Sequence, residues 1–224
     1  MNASFVTPGN RMCDVGTDHA YIPIALVQEG TVPSALAMDV NEGPLERAKE
    51  HIREFRLESC IHTRLSDGVQ ALHPGEADSV LIAGMGGALT IKILSEGRQV
   101  LESVKELILQ PQSELDKVRR YLAESGYSIE REEMVQEDGK YYTVMKAVVG
   151  EKLYDREIFY HYGKLLLEQR HPVLREYLQQ REGICEKIYG RLIREGSGEE
   201  RTRTRIRELQ EELRQIQDAL EYYR

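Results

Sequence analysis

The chain has 224 residues, of which 41% are hydrophobic, and a net charge of −8. This length accommodates one full-size domain with an appendage, and no apolar run reaches the roughly 20 residues that span a bilayer. The charge is uneven, because residues 1–150 carry 15 basic and 23 acidic side chains whereas residues 151–224 carry 15 of each. The overall charge therefore disfavours a nucleic-acid partner, while the arginine-rich C-terminal part leaves room for one.

Cysteine usage and the N-terminal segment bear on the compartment. Cys13, Cys60 and Cys185 lie far apart and form no CxxC pair, which argues against a zinc site or a disulfide framework. We expect Cys13 to fill the core. The first eleven residues lack the apolar region of a secretory signal peptide. We therefore expect a cytoplasmic protein that spans no membrane and binds no metal.

Strands and helices are predicted to alternate through residues 1–150, after a short polar segment with a turn at Pro8-Gly9. The predicted strands cover about 11–15, 34–38, 61–65, 79–83, 106–109, 127–135 and 141–149. The predicted helices cover about 20–29, 41–55, 89–96 and 113–125, and Asn41 and Ser113 are expected N-caps. This alternation favours an α/β fold with a doubly wound, Rossmann-like sheet of seven strands, and a turn at 137–140 predicts a closing hairpin.

The pattern changes after Gly150, so we divide the chain into a ligand-binding domain, residues 1–150, and a helical appendage, residues 151–224. Helices are predicted over 154–168, 173–194 and 199–223, with a tight break at Gly196-Ser197-Gly198. The last helix has the heptad seam of a coiled coil, formed by Ile206, Leu209, Leu213, Ile216 and Leu220. In an antiparallel hairpin this seam would face Leu174, Leu178, Ile184, Ile188 and Leu192. The same heptads could instead pair between chains and form an oligomer.

Residues suited to chemistry follow most of the predicted parallel strands. They are Gly16, Asp39, Asp67-Gly68, Gly84-Met85-Gly86-Gly87 and Gln110-Pro111. Because the carboxyl ends of parallel strands share one edge of the sheet, we expect these residues to gather at a ligand site. The glycines of the dinucleotide fingerprint are missing, and Asp14 and Asp18 flank the first turn. Carboxylates repel a pyrophosphate, so they favour a ligand with positive charge and hydroxyl groups, such as S-adenosylmethionine (SAM).

Each residue at this edge has a candidate role beside such a ligand. Asp39 can accept both ribose hydroxyls, and Asp67 can accept the adenine amino group while Gly68 leaves room for the ring. The expected cofactor-binding residues are Asp14, Gly16, Asp39, Val40, Asp67, Gly68, Gly84, Met85 and Gly86. The alternatives are a solvated carboxylate at Asp39, a plain Asp-Gly turn at residues 67–68 and a flexible loop at residues 84–87.

The histidines and Tyr21 are less specific. His19 is either a substrate contact or a helix cap, and Tyr21 either stacks on a base or packs against the protein. The remaining candidates show no ligand spacing and are interpreted as surface or helix residues, namely His51, His62, His73 and His171.

The run from Asp14 to Pro23 resembles the first motif of the bacterial tRNA (adenine(22)-N1)-methyltransferases, the TrmK family. Three further segments, residues 84–87, 107–111 and 137–142, resemble motifs of the same family, as does the C-terminal helical hairpin. The resemblance covers nearly the whole chain and implies a class I SAM-binding domain with a coiled-coil tail that acts on tRNA. The family usually has a basic helix before the first strand, and we expect that helix to be absent or truncated because only Met1 to Asn10 precede the strand.

Methylation at adenine N1 would need no general base, because N1 carries a lone pair and the product base is a cation. Positioning and nearby negative charge would then carry the catalysis, and the base would have to leave its pairing. Asp18 is the first candidate for the negative group, with Gln110 contacting the base edge and His19 positioning the substrate.

Other functions stay open on the residues alone. A methyltransferase could act on another RNA position or on a small molecule. An NAD-dependent oxidoreductase would share the sheet but lacks its glycine fingerprint here, and a non-catalytic protein would use the coiled coil to bind protein partners.

Overall fold

A seven-stranded sheet is the centre of the computed structural model, which describes residues 1–150, 153–195 and 200–224. The strands are β1 (Met12–Val15), β2 (Ala35–Asp39), β3 (Ile61–Leu65), β4 (Ser79–Met85), β5 (Glu106–Pro111), β6 (Tyr127–Glu137) and β7 (Lys140–Val149). Their order in the sheet is β3-β2-β1-β4-β5-β7-β6, parallel from β3 to β5 and antiparallel between β5 and β7. The predicted doubly wound sheet with a closing hairpin is confirmed.

Helices connect the parallel strands and continue beyond the sheet. They are α1 (Tyr21–Gln28), α2 (Glu42–Glu54), α3 (Gly87–Glu96), α4 (Arg98–Leu101), α5 (Leu115–Glu124), α6 (Glu157–Tyr162), α7 (Lys164–Glu168), α8 (Pro172–Glu195) and α9 (Glu200–Leu220). Short 3-10 helices cover Asn2–Phe5 and Glu221–Tyr223. The single helix predicted over 154–168 is wrong, because Gly163 adopts a φ of 86° and separates α6 from α7. The predicted break at Gly196-Ser197-Gly198 lies outside the described residues.

Buried strands fix where the ligand edge lies. Every residue of β1 and β5 is buried, as expected for parallel strands covered on both faces, and Cys13 is fully buried in the core as predicted. The chain builds β2 and β3 on one side of β1 and then crosses to β4 on the other side. The strand order therefore reverses between β1 and β4. Open α/β sheets bind their ligands outside the carboxyl ends of the strands at such a reversal.

The described residues form two compact units. The first contains Met1–Glu133 and Tyr142–Leu153, and the second contains Met134–Tyr141 and Tyr154–Arg224. No helix in the described part of the chain is both long enough and apolar enough to cross a membrane.

The second unit contains the predicted helical hairpin. Helices α8 and α9 pack together and run antiparallel, because Tyr223 bonds to the carbonyl of His171 while Arg181 bonds to Glu212 nearer the other end. Leu209 and Ile216 of the predicted seam are fully buried.

The predicted seam of α8 is correct only in part. Leu174 and Leu178 are buried, but Ile184 and Ile188 are exposed. Cys185 takes the buried position instead, because the inner face of α8 continues from Leu178 through residues 181 and 185 at helical spacing. Arg181 occupies one position of that row, and its guanidinium is neutralised by Glu212 at 2.8 Å.

Candidate functional site

The turn after β1 is shaped by a close approach of backbone and side chain. Gly16 adopts a φ of 75°, which side-chain-bearing residues rarely accept, and its N–H donates to the carbonyl of Met38 at 2.8 Å. A Cβ at this position would collide with the terminal methyl group of Met85. The turn after β1 and the end of β4 are therefore in contact, which brings the predicted residues Gly16 and Met85 together.

Asp14 is a buried carboxylate directly beneath this turn. It accepts a hydrogen bond from the Thr17 hydroxyl at 2.7 Å. The pKa of Asp14 is raised to about 6, chiefly by burial, with the hydrogen bond from Thr17 opposing the rise and the neighbouring Asp39 carboxylate adding to it. Two carboxylates thus lie near each other with little solvent, an arrangement that favours a positively charged ligand.

Asp39 ends β2 and is also buried. One of its oxygens accepts the N–H of Asn41 at 2.9 Å, which leaves the other for a ligand. The predicted N-cap position of Asn41 before α2 is confirmed, although its side chain makes no capping hydrogen bond. Val40 lies between them and is 57% exposed, so it offers apolar surface beside the carboxylate.

The loop after β3 presents Asp67 and is braced from below. Asp67 is exposed, while Gly68 has a φ of 58°, and a Cβ there would come within 2.9 Å of Ile93. The buried Ser66 hydroxyl donates to the Gly68 carbonyl at 2.9 Å. Arg64 bonds to the Ala71 carbonyl at 2.8 Å and to both oxygens of Glu76. The geometry of the loop is therefore fixed by residues that the sequence interpretation did not single out.

The end of β4 is bonded to the end of β5. A bulge lies between Ala83 and Met85, and Gly84, with a φ of 76°, donates its N–H to the Gln110 side-chain oxygen at 2.8 Å. Gln110 is buried, and its amide nitrogen makes no hydrogen bond within the described part of the chain. That nitrogen is therefore available as a hydrogen-bond donor.

The prediction that Ser113 caps the following helix is wrong. Helix α5 begins at Leu115, and its N-cap is Glu114 in a left-handed conformation. The Ser113 hydroxyl instead accepts the N–H of Gly87 at 3.2 Å, and the Glu114 carboxylate accepts the N–H of Ala88 at 3.1 Å. Both residues therefore cap the N-terminus of α3, which explains why a Cβ at Gly87 would collide with the Ser113 carbonyl.

Asp18 and His19 lie in the turn that leads into α1. Asp18 is exposed, and Arg47 of α2 contacts its carboxylate at 2.6 Å. The hydrogen bond from Arg47 lowers the pKa of Asp18, so the group is ionised at neutral pH. His19 Nε2 lies 3.5 Å from the second carboxylate oxygen. Sequence reasoning missed Arg47, because the pairing joins residues 29 positions apart.

Three rings stack beside this turn. His19, Tyr21 and His51 have pairwise centroid distances of 5.2 Å and interplanar angles of 12° to 23°. His51 Nδ1 also lies 3.1 Å from the His19 carbonyl oxygen, which accepts the hydrogen bond. The sequence interpretation gave His51 no role, because it shows no ligand spacing.

The residues at this edge fit SAM. Buried carboxylates at Asp14 and Asp39 suit its positive groups and ribose hydroxyls, and exposed apolar side chains at Val40 and Leu65 suit an adenine ring. Asp67 carries no hydrogen bond on its carboxylate among the described residues and is available to an amino group. Within the same described residues, no cluster of three or more His, Cys, Asp or Glu suits a metal ion.

Comparison with known proteins points the same way. A sequence profile described as "Methyltransferase domain" matches residues 1–145. The tRNA (adenine(22)-N(1))-methyltransferase of Bacillus subtilis is 30% identical over 98% of this chain and 94% of its own length.

Two solved structures share the fold over almost the whole chain. The crystal structure of the B. subtilis m1A22 tRNA methyltransferase TrmK has a TM-score of 0.88 and 28% identity, covering 98% of this chain and 95% of that one. A Streptococcus pneumoniae protein proposed to be a tRNA (m1A22) methyltransferase, in complex with SAM, has a TM-score of 0.86 and 32% identity, covering 98% and 96%.

Proposed function

The chain belongs to the bacterial tRNA (adenine(22)-N1)-methyltransferase family and is a SAM-dependent methyltransferase, and we propose that it methylates N1 of adenine 22 in tRNA. The observation that carries the proposal is the match to the B. subtilis enzyme over 98% of the chain, which includes both compact units. A tRNA substrate also implies a cytoplasmic location.

The cofactor site that we propose follows the carboxyl ends of four strands. Asp39 would bind the ribose hydroxyls, Asp67 with Gly68 would hold the adenine, and Val40 would cover the ring. Asp14, Gly16 and the segment 84–86 would hold the methionine part. When bound, SAM supplies a methyl group on a positively charged sulfur.

The chemistry asked of the protein is positioning and charge stabilisation. Adenine N1 attacks with its own lone pair, so no side chain has to remove a proton. Asp18 is the proposed negative group near the developing positive charge, and the hydrogen bond from Arg47 lowers its pKa further. The amide nitrogen of Gln110 is the proposed donor to the base edge, because Gly84 already occupies the oxygen and fixes the orientation of the amide. His19 is proposed to position the substrate.

The helical unit is proposed to bind tRNA through its arginine-rich end. Exposed basic side chains concentrate near the hairpin tip, at Lys187, Arg191, Arg194, Arg201, Arg203, Arg205 and Arg207. Of the five acidic side chains of α9, Glu200 and Glu208 lie in this half, where Glu208 pairs with Arg205. The other three lie farther along the helix, where Glu211 and Asp218 pair with Arg214. A cationic end of this kind suits the phosphate backbone of an RNA.

The test is the identity of the product. The purified protein is incubated with SAM and unmodified tRNA, and the RNA is digested and analysed by mass spectrometry. We expect one N1-methyladenosine, located at position 22. A methyl group on the exocyclic amine, on a guanine or on a ribose would overturn the proposed reaction while leaving the methyltransferase class intact.

A further inference from the structure

The rings of His19, Tyr21 and His51 form a stack that includes an exposed tyrosine. Their planes are nearly parallel, and Tyr21 remains 61% exposed at the start of α1. A tyrosine that only filled the core would be buried, whereas an exposed ring held by two others presents a flat aromatic face.

The backbone is held in an unfavourable conformation to place these rings. Asp18 and Ala20, on either side of His19, have φ values of 48° and 58°. Left-handed conformations are costly for residues with a Cβ and persist where the surrounding structure enforces them. Here the enforcing contacts include the bond from Ala20 N–H to the Thr17 carbonyl and the contact of His51 with the His19 carbonyl.

His19 also carries an unsatisfied polar atom. Its Nδ1 is buried and has no hydrogen-bond partner in the described residues, whereas its Nε2 faces Asp18. The ring is thus fixed by its neighbours in the stack and by Asp18, and not by a full set of hydrogen bonds. Stacking against Tyr21 and His51 therefore contributes to holding the His19 ring in this orientation.

We propose that His19, Tyr21 and His51 form a stacking surface for a nucleobase of the tRNA that neighbours the methylated adenine. Stacking on aromatic rings holds an unpaired base without reading its identity, and extruding one base from its pairing exposes the neighbours. The methylated adenine itself belongs near Gln110 and the end of β4, so the exposed Tyr21 face is left for another base. This inference rests on the proposed tRNA substrate.

The first test compares Tyr21→Ala with Tyr21→Phe in the full chain. Loss of one base–aromatic stack corresponds to about 5- to 150-fold in affinity. We expect Tyr21→Ala to raise the KM for tRNA within that range, with a smaller change in kcat and an unchanged Kd for SAM. Tyr21→Phe keeps the ring and should behave like the wild type. Equal KM values for the Ala and Phe variants would overturn the proposal.

The second test separates stacking by His51 from its hydrogen bond to the His19 carbonyl. His51→Phe keeps an aromatic ring and loses the bond, whereas His51→Asn keeps a polar donor and loses the ring. If His51 contributes to stacking, the His51→Phe variant should retain tRNA affinity and the His51→Asn variant should lose it. The melting temperature of each variant shows whether it is folded. The opposite order would show that His51 only braces the turn, and would remove it from the stacking surface.

A direct measurement uses tRNA carrying the fluorescent base 2-aminopurine at each nucleotide next to adenine 22 in turn. We expect wild-type protein to quench one of these positions and Tyr21→Ala to restore its emission. Wild-type protein that binds and methylates the tRNA without quenching any of them would contradict the stacking surface alone. Wild-type protein that neither binds nor methylates tRNA would overturn the proposed function and this inference together.

Discussion

At the scale of single residues, the buried Asp14 carboxyl makes the candidate site sensitive to pH. Burial raises the pKa of Asp14 to about 6, above its ordinary value of 3.8. Between these values the folded protein binds a proton that the unfolded chain has lost, so this carboxyl lowers stability as the pH rises through that window. SAM, being positively charged, should favour the ionised form and bind more tightly above pH 6.

Asp14→Asn is therefore expected to stabilise the ligand-free protein above pH 6 and to weaken SAM binding. The gain in unfolding free energy should reach roughly 3 kcal/mol, as a pKa shift of about two units implies, and vanish below about pH 4. Denaturant unfolding of both proteins across this pH range gives their free energies of unfolding. The difference between the two proteins at each pH cancels the contribution of the other titrating groups. Parallel pH profiles for the two proteins would contradict the assignment.

Asp39 tests the ribose contact. Asp39→Ala should weaken SAM binding by about 1.5–3 kcal/mol, the loss expected for charge-assisted hydrogen bonds. Asp39→Asn is the matched control, because an amide oxygen can still accept the N–H of Asn41 and should lose less. Calorimetry that finds the same affinity in Asp39→Ala as in the wild type would exclude the ribose role.

Asp18 tests the catalytic assignment. Asp18→Ala should lower the methylation rate far more than it lowers SAM affinity, because its proposed work is done in the transition state. His19→Ala should lose less, since its proposed role is positioning. Single-turnover rates and calorimetry on the same preparations separate the two effects, and an Asp18→Ala enzyme with normal turnover would end this assignment.

At the scale of elements, the junction between β4 and α3 depends on the absence of a side chain at Gly87. Gly87→Ala would drive a Cβ into the Ser113 carbonyl and displace the caps that Ser113 and Glu114 provide. We expect a lower melting temperature and weaker SAM binding. Gly190→Ala in α8 is the control, because that position has open space and should gain about 0.5–1 kcal/mol from helix propensity. A Gly87→Ala protein as stable as the wild type would show that the junction adapts.

The elements also show what local sequence can and cannot predict. The bounds of β3 and the doubly wound parallel sheet follow from strand–helix alternation, since residues of each βα unit are neighbours along the chain. The pairings Asp18–Arg47 and Gly84–Gln110 join residues more than 25 positions apart, and no local pattern contains them. For the same reason Ser113 looked like a cap for the helix that follows it, when it caps a helix that precedes it.

At the scale of the whole molecule, we propose that tRNA contacts both the candidate catalytic residues and the hairpin tip. Replacing Arg201, Arg203, Arg205 and Arg207 with Gln should weaken tRNA binding, flatten its dependence on salt and leave SAM affinity unchanged. The matched control replaces four exposed arginines elsewhere in the helical unit, namely Arg170, Arg175, Arg214 and Arg224. Filter binding between low and physiological salt measures both sets, and equal losses would show that total charge matters more than its location.

The path of the chain between its two units limits where this protein can be truncated. The backbone passes from one unit to the other three times, at residues 133–134, 141–142 and 153–154. Met134 and Tyr141, in the hairpin between β6 and β7, belong to the apolar cluster of the helical unit. A fragment that ends at Gly150 would keep these side chains and lose the residues they pack against. The helical appendage therefore cannot be removed, or transferred to another protein, by cutting the chain at one position. Insertions or deletions in it must preserve a core whose residues come from two separate segments of the chain.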